Sequence, residues 1–160
     1  MAHQYCHQCG EKFISLEWPR RCHKCPGVAW GNPVPVVVAA VRVPGGVLLI
    51  RRAQGLGKGL LALPGGYLDH HEAWQDGCAR ELLEETGLEL HPEEFTLLTC
   101  VSSSNRENLV LFGIAQASRV PEFKPSQEVS ELLVIDRPIE LAFPSHTQVL
   151  SRLFEASFRF

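Results

Sequence analysis

Residues 66–88 read GYLDHHEAWQDGCARELLEETGL, and this stretch decides the fold. No proline interrupts residues 73–86, and good helix formers dominate near the end, so a helix is predicted there. Ala79, Leu82, Leu83 and Thr86 recur at helical spacing and form a mostly apolar face. Glu81, Glu84 and Glu85 stand at i, i+3 and i+4, which crowds three carboxylates on the opposite face. Like charges at this spacing repel by roughly 0.3 kcal/mol per pair in an isolated helix. A divalent cation reverses that sign, and clustered oxygen donors suit Mg²⁺ or Mn²⁺. Gly87 fits the left-handed position that ends a helix. For ELLEE taken alone, a solvated acidic face is the alternative.

The whole register is more specific than the glutamates. Gly66 is followed by Glu72 after five residues and by Arg80-Glu81 after seven more, then Leu82, Glu84-Glu85, Gly87 and Leu88. This resembles the Nudix hydrolase signature at every fixed position, and Pro64-Gly65 fits its usual lead-in. The resemblance implies a loop–helix–loop that binds divalent cations and a diphosphate. It also implies an α/β/α sandwich with a mixed sheet. Carried over position by position, Glu84 and Glu85 are the main Mg²⁺ ligands, Glu81 is a further ligand, and Gly66 offers its backbone carbonyl. Arg80 orients these carboxylates, and Glu72 ties the preceding loop in place. The activity implied is hydrolysis of a nucleoside diphosphate linked to another moiety.

Working outward, the N-terminal residues 1–31 carry Cys6-x2-Cys9 and Cys22-x2-Cys25, with Gly10 and Pro26-Gly27 after the pairs. Two such knuckles point to a closed tetrahedral Zn²⁺ site of four thiolates. Redox thiols, or mixed ligation through His3, His7 or His23, are the alternatives. The segment is too short to build a core from Tyr5, Phe13, Ile14, Leu16, Trp18 and Trp30, so metal would supply its folding energy. The unit resembles the zinc ribbon that precedes some Nudix domains. The expected organisation is a ribbon over residues 1–31 and a Nudix domain over residues 32–160.

In that domain, β-branched residues predict a strand at Val34–Val43, a turn at Pro44-Gly45-Gly46 and a partner strand at 47–52. Residues 54–59 hold three glycines and Lys58, a mobile loop; Arg51, Arg52 and Lys58 are either phosphate contacts or plain surface cations. Further strands are expected at 95–102, 109–117 and 131–135. Ser145 and Gln148 suggest a capping box opening a last helix, whose stripe is Val149, Leu150, Leu153, Phe154 and Phe158. His70 and His71 read as exposed loop residues, and Cys78 and Cys100 as buried free thiols. Trp74 either packs on the sheet or stacks on a base.

Carboxylates bound to metal are poor bases, so a general base is sought beyond the helix among Glu107, Glu122, Glu128 and Glu131. Glu128 is the choice, because the 125–136 run resembles the family's Glu-bearing segment; Glu131 is second. The ribbon–Nudix combination suggests ADP-ribose or a related dinucleotide (NADH, FAD). Residues 96–113 nevertheless lack both the SQPW-type motif of NADH pyrophosphatases and the proline of many ADP-ribose hydrolases. Nucleoside triphosphate pyrophosphohydrolysis is therefore kept as the alternative. A non-catalytic nucleotide sensor or nucleic-acid-binding protein is the third reading, disfavoured because every signature glutamate is present.

A net charge of −3 gives no general attraction to nucleic acid or anionic membrane. The longest apolar run, residues 36–41, is too short to span a bilayer, and residues 1–10 lack a signal pattern, so a soluble cytoplasmic protein is expected. The expected partner is a small nucleotide substrate, with homodimers frequent in the family.

Overall fold

The computed structural model describes residues 4–155, in two compact units, Met1–Pro33 and Val34–Phe160. His3 and Phe158 lie outside the described residues.

In the first unit, strands β1 (Arg20–Arg21) and β2 (Val28–Ala29) pair antiparallel. Each cysteine pair sits on a tight turn: Gly10 N–H donates to Cys6 O (2.9 Å), and Cys22 N–H donates to Gly27 O (2.9 Å). Among the described residues of this unit, the buried apolar set is Cys6, Phe13 and Ala29, with Cys22 and Cys25 packed against it. Tyr5, Ile14, Leu16, Trp18 and Trp30 are exposed. An apolar core this small cannot offset the chain entropy of some thirty residues.

The second unit runs β3 (Val34–Val43), β4 (Gly46–Arg52), β5 (Leu61–Ala62), β6 (Gly65–Tyr67), α1 (Trp74–Thr86), a 3-10 turn, β7 (Thr96–Ser102), β8 (Asn108–Gln116), β9 (Val129–Ile135) and α2 (Pro144–Leu153). Among the described residues, seven strands make one mixed sheet, ordered β5-β4-β3-β8-β7, with β6 pairing β3 and β9 pairing β4. The β3–β8 pair is parallel over its full length, from Val34↔Asn108 to Arg42↔Gln116. Strand β3 reads as a continuous apolar run because both of its faces are covered. Val38 and Ala40 join Val110, Phe112, Val149, Leu150 and Leu153 under α2. Val37, Ala39 and Val41 join Cys78, Leu82, Leu88 and Phe95 under α1. Helix, sheet, helix is the layer order of this unit.

Several expectations change. The last helix has Phe143 at its N-cap with no side-chain cap and Pro144 in the first turn, so the Ser145–Gln148 capping box does not form. Proline at N1 starts the helix one residue early, its fixed φ suiting that position. Leu83 is 46% exposed. Glu85 instead takes the inward position, 6% exposed, because 78, 82 and 85 share one helix stripe. Cys100 is exposed; it lies on β7, which ends the main strand path two strands away from β3. Cys78 is buried as expected, with burial pushing its thiol up to about 12.

Candidate active site

Helix α1 and the β6 strand before it bring the signature residues together. Gly66 pairs with Val37 on β3, and a Cβ on Gly66 would sit 2.5–2.7 Å from the Oε1, Cδ and Oε2 atoms of Glu81. Any side chain at 66 would displace the Glu81 carboxylate from this position. Gly77 plays a similar part inside α1: a Cβ there would meet Leu68 at 2.7 Å and Glu72 Oε2 at 3.0 Å.

Arg80 is the hub. Its Nε donates to Glu72 Oε1 (2.8 Å) and its Nη2 to Glu72 Oε2 (3.0 Å), a two-point pair. Nη1 donates to Glu81 Oε1 (2.7 Å) and Glu84 Oε2 (3.3 Å), and Nη2 also to Tyr67 O (3.0 Å). Glu72 Oε2 further accepts Asp69 N–H at 3.0 Å. The Arg80 hydrogen bonds, aided by that N–H, hold the Glu72 carboxyl below the usual range. Glu72 and Arg80 together clasp the loop between β6 and α1.

Glu81 and Glu85 are in the opposite electrostatic state. Burial, with the nearby charges of Glu84 and Glu128, raises Glu81 against the pull of Arg80. Burial pushes Glu85 up to about 8, opposed by the Gly65 N–H that donates to its Oε2 at 2.7 Å and by Arg52. Glu81 and Glu128 add to that upward push. Glu84 is exposed at the outer edge. Two raised carboxylates near further carboxylates are what a divalent cation would relieve, and the all-oxygen donor set suits Mg²⁺ or Mn²⁺. The donor chemistry of Glu81, Glu84 and Glu85 suits such an ion, although among the described residues only the four cysteines of the first unit have ligand atoms gathered within 4.8 Å of one another.

Glu128 stands just before β9 and is felt electrostatically by both Glu81 and Glu85. Its Oε1 accepts Gln54 Nε2 at 3.1 Å, and its carbonyl accepts Ala53 N–H at 2.7 Å. Glu131 is engaged by Arg51, Nε to Oε2 at 2.6 Å. Arg52 donates to Leu56 O (2.9 Å), which anchors the glycine-rich loop; Lys58 is exposed. Glu107 accepts an Asn105 amide N–H at 2.7 Å in its own loop. Glu122, His70 and His71 are exposed, and Trp74 packs with the α1-side core.

One buried polar residue was not among the sequence candidates. His146, on α2, accepts Leu63 N–H at Nδ1 (3.3 Å). It stands edge-on to Phe112 with ring centroids 5.4 Å apart and tilted against Phe143 at 5.0 Å. Burial, with the charge of Arg52, drops it to about 3, so the ring is neutral. Its spacing of three and four residues before Val149 and Leu150 was the available signal.

In the first unit, the sulfurs of Cys6, Cys9, Cys22 and Cys25 all lie within 4.8 Å of one another. Cys6–Cys25 and Cys9–Cys22 are each 3.6 Å apart. Tetrahedral Zn²⁺ with thiolate bonds near 2.3 Å needs sulfurs about 3.8 Å apart, so the set fits zinc. The Lys24 N–H at 3.4 Å brings the Cys22 thiol down to about 7, while against the Gly27 N–H burial and the neighbouring sulfurs push Cys25 up to about 12. His7 and His23 are exposed and outside this group.

A NUDIX domain family model matches residues 32–148, and the chain belongs to the Nudix family. Among curated proteins it is similar to the NAD-capped RNA hydrolase NudC of Escherichia coli, 25% identical over 91 residues. That match takes in 56% of this chain and 35% of the relative, so it spans about a third of the relative's length. A Nudix hydrolase structure from Nitrosomonas europaea superposes with a TM-score of 0.75 at 22% identity, covering 97% of this chain and 92% of that one. A bifunctional NMN adenylyltransferase/ADP ribose pyrophosphatase from Francisella tularensis, complexed with AMP and Mn, gives a TM-score of 0.65 at 24% identity. That alignment covers 76% of this chain and 41% of the other. Among the described residues, no helix is long and apolar enough to cross a membrane.

Proposed function

We propose that the chain is a divalent-cation-dependent pyrophosphohydrolase acting on a nucleoside diphosphate linked to another moiety, with ADP-ribose or a related dinucleotide (NADH, FAD) favoured. The observation that carries this reading is the buried Glu85 carboxylate beside Glu81 on the Gly65-Gly66 backbone. A carboxylate pushed up to about 8 by burial is unstable as an anion there unless a cation joins it.

In this reading Glu81, Glu84 and Glu85, with the Gly66 carbonyl, hold Mg²⁺ or Mn²⁺. When bound, the cation neutralises the diphosphate and lowers the proton affinity of a water. Arg80 fixes the directions of Glu81 and Glu84, and Glu72 locks Arg80 to the loop. Glu128 is the general base. It takes one proton as water oxygen bonds to phosphorus, and the bridging P–O bond breaks with its electron pair leaving on the second phosphate. For ADP-ribose the products are AMP and ribose 5-phosphate. Cys6, Cys9, Cys22 and Cys25 hold a structural zinc, with no open position for chemistry.

The NAD-capped RNA hydrolase relative and the ADP ribose pyrophosphatase neighbour support a dinucleotide-type substrate. The missing SQPW-type motif and proline in residues 96–113 keep nucleoside triphosphate cleavage as a second reading. The test is a panel of NADH, ADP-ribose, FAD, diadenosine polyphosphates, CoA and deoxynucleoside triphosphates, assayed with Mg²⁺ and Mn²⁺ and resolved by chromatography. Release of nucleoside monophosphate from the dinucleotides supports the first reading, and release of inorganic pyrophosphate from triphosphates the second. Nucleotide binding without turnover would make the chain a sensor. Glu128→Gln is expected to depress kcat strongly with little change in KM; a wild-type rate there with a crippled Glu131→Gln would transfer the role.

A further inference from the structure

Three consecutive residues ahead of Gly66 are each tied to a different element. Leu63 N–H donates to His146 Nδ1 on α2 at 3.3 Å. Pro64 O accepts Ala39 N–H on β3 at 2.8 Å, and Gly65 N–H donates to Glu85 Oε2 on α1 at 2.7 Å. Leu63 is 1% exposed, so its N–H would be orphaned without the imidazole. An aliphatic residue at 146 would fill the same stripe as Val149 and Leu150 but leave that donor unsatisfied. Since Nδ1 accepts, the ring proton sits on Nε2, and one neutral tautomer is selected.

We propose that His146 is a positioning residue for the cation site. Its Nδ1 fixes the Leu63–Pro64–Gly65 backbone from the α2 side of the sheet. With that backbone fixed, the Gly65 N–H stays aimed at Glu85 and the Gly66 Cα stays against Glu81. The inference rests on the reading that Glu81 and Glu85 hold the cation. It adds that a residue on the far helix, touching neither substrate nor carboxylate, sets their geometry.

The test compares wild type, His146→Leu and His146→Asn, whose Oδ1 takes the place of Nδ1 and restores an acceptor. Amide hydrogen exchange at Leu63 and Gly65 is followed in cation-free protein, Mn²⁺ affinity by paramagnetic titration, and kcat and KM on whichever substrate turns over. In His146→Leu, exchange at both amides is expected to quicken and Mn²⁺ to bind about ten-fold more weakly, with kcat falling and KM nearly constant. His146→Asn is expected to recover most of each. A folded His146→Leu with wild-type exchange and Mn²⁺ affinity overturns the proposal, as does an Asn variant impaired equally with Leu. Should His146→Leu fail to fold, ¹⁵N resonances of wild-type His146 decide together with the Asn variant: a proton on Nδ1 contradicts the proposal. Failure of the underlying reading looks different. Glu85→Gln would then leave Mn²⁺ binding unchanged, while exchange at Leu63 and Gly65 would still report on His146.

Discussion

Arg80 and Glu72 meet through two parallel hydrogen bonds, 2.8 and 3.0 Å, that join the middle of α1 to the loop leading into it. Arg80→Lys removes the planar fork, and a single ammonium cannot reach Glu72, Glu81 and Tyr67 O at once. Turnover is expected to fall about ten- to hundred-fold, and stability by about 1–2 kcal/mol, since the pair is largely covered. Steady-state kinetics with urea unfolding checks both; an Arg80→Lys enzyme with wild-type kcat would contradict the orienting role.

Gly66→Ala tests the contact between backbone and Glu81. The added Cβ would fall 2.5–2.7 Å from three atoms of that carboxylate group. Glu81 is flexible enough to swing aside, so the fold is expected to survive with a melting temperature within about 5 °C of wild type. Mn²⁺ affinity is expected to drop at least about ten-fold because the carboxylate is displaced. Wild-type Mn²⁺ binding in a folded Gly66→Ala protein would show that Glu81 does not serve the site from this position.

The pH dependence of stability has a definite sign. Glu85 titrates at about 8 when folded against an ordinary 4.5, so between these values the folded cation-free chain binds more protons than the unfolded one. Its contribution is complete below pH 4.5 and is lost as pH rises through 8. His146 runs oppositely: held at about 3 against 6.5, its contribution is complete above pH 6.5 and is lost as pH falls toward 3. Above pH 6.5 the His146 contribution is constant, and comparison with Glu85→Gln cancels the groups common to both proteins, the Cys22 thiol at about 7 among them. Cation-free protein is expected to lose on the order of 2 kcal/mol between pH 6.5 and 8 relative to Glu85→Gln, measured by denaturant unfolding. Mg²⁺ should flatten that slope. Parallel pH profiles for the two proteins would show that Glu85 is not held protonated by burial.

The first unit is expected to depend on zinc. With a buried apolar set of Cys6, Phe13 and Ala29, it has little else to hold it. Cys22→Ser, or a strong chelator, should collapse amide dispersion for residues 4–33 while resonances of β3, β8 and α1 persist. Freshly purified protein without stoichiometric zinc by elemental analysis would overturn this.

Much of the architecture is legible locally. Strand β3 starts and stops at the expected residues because six successive apolar side chains need two covering layers. Gly87 closes α1 at φ 73°, as its lack of a Cβ allows. The less legible parts are those where tertiary packing overrides pattern. By spacing alone Glu85 reads as one of three glutamates on the polar helix face, yet the β6 backbone folds over it and supplies the Gly65 N–H. Cys100 reads as an interior strand residue, but its strand ends the sheet path. His146 sits on a stripe that periodicity could reveal, while its partner, Leu63 N–H, lies 83 residues away.

The most direct measurement is the initial rate of phosphoanhydride cleavage against Mg²⁺ concentration for wild type and Glu85→Gln, with AMP and ribose 5-phosphate quantified from ADP-ribose. The expected result is a saturable Mg²⁺-dependent rate in wild type, reduced at least about hundred-fold in Glu85→Gln although the cation-free variant is no less stable than cation-free wild type. Equal Mg²⁺-dependent rates in the two proteins would contradict the central claim that the buried α1 carboxylate holds the catalytic cation.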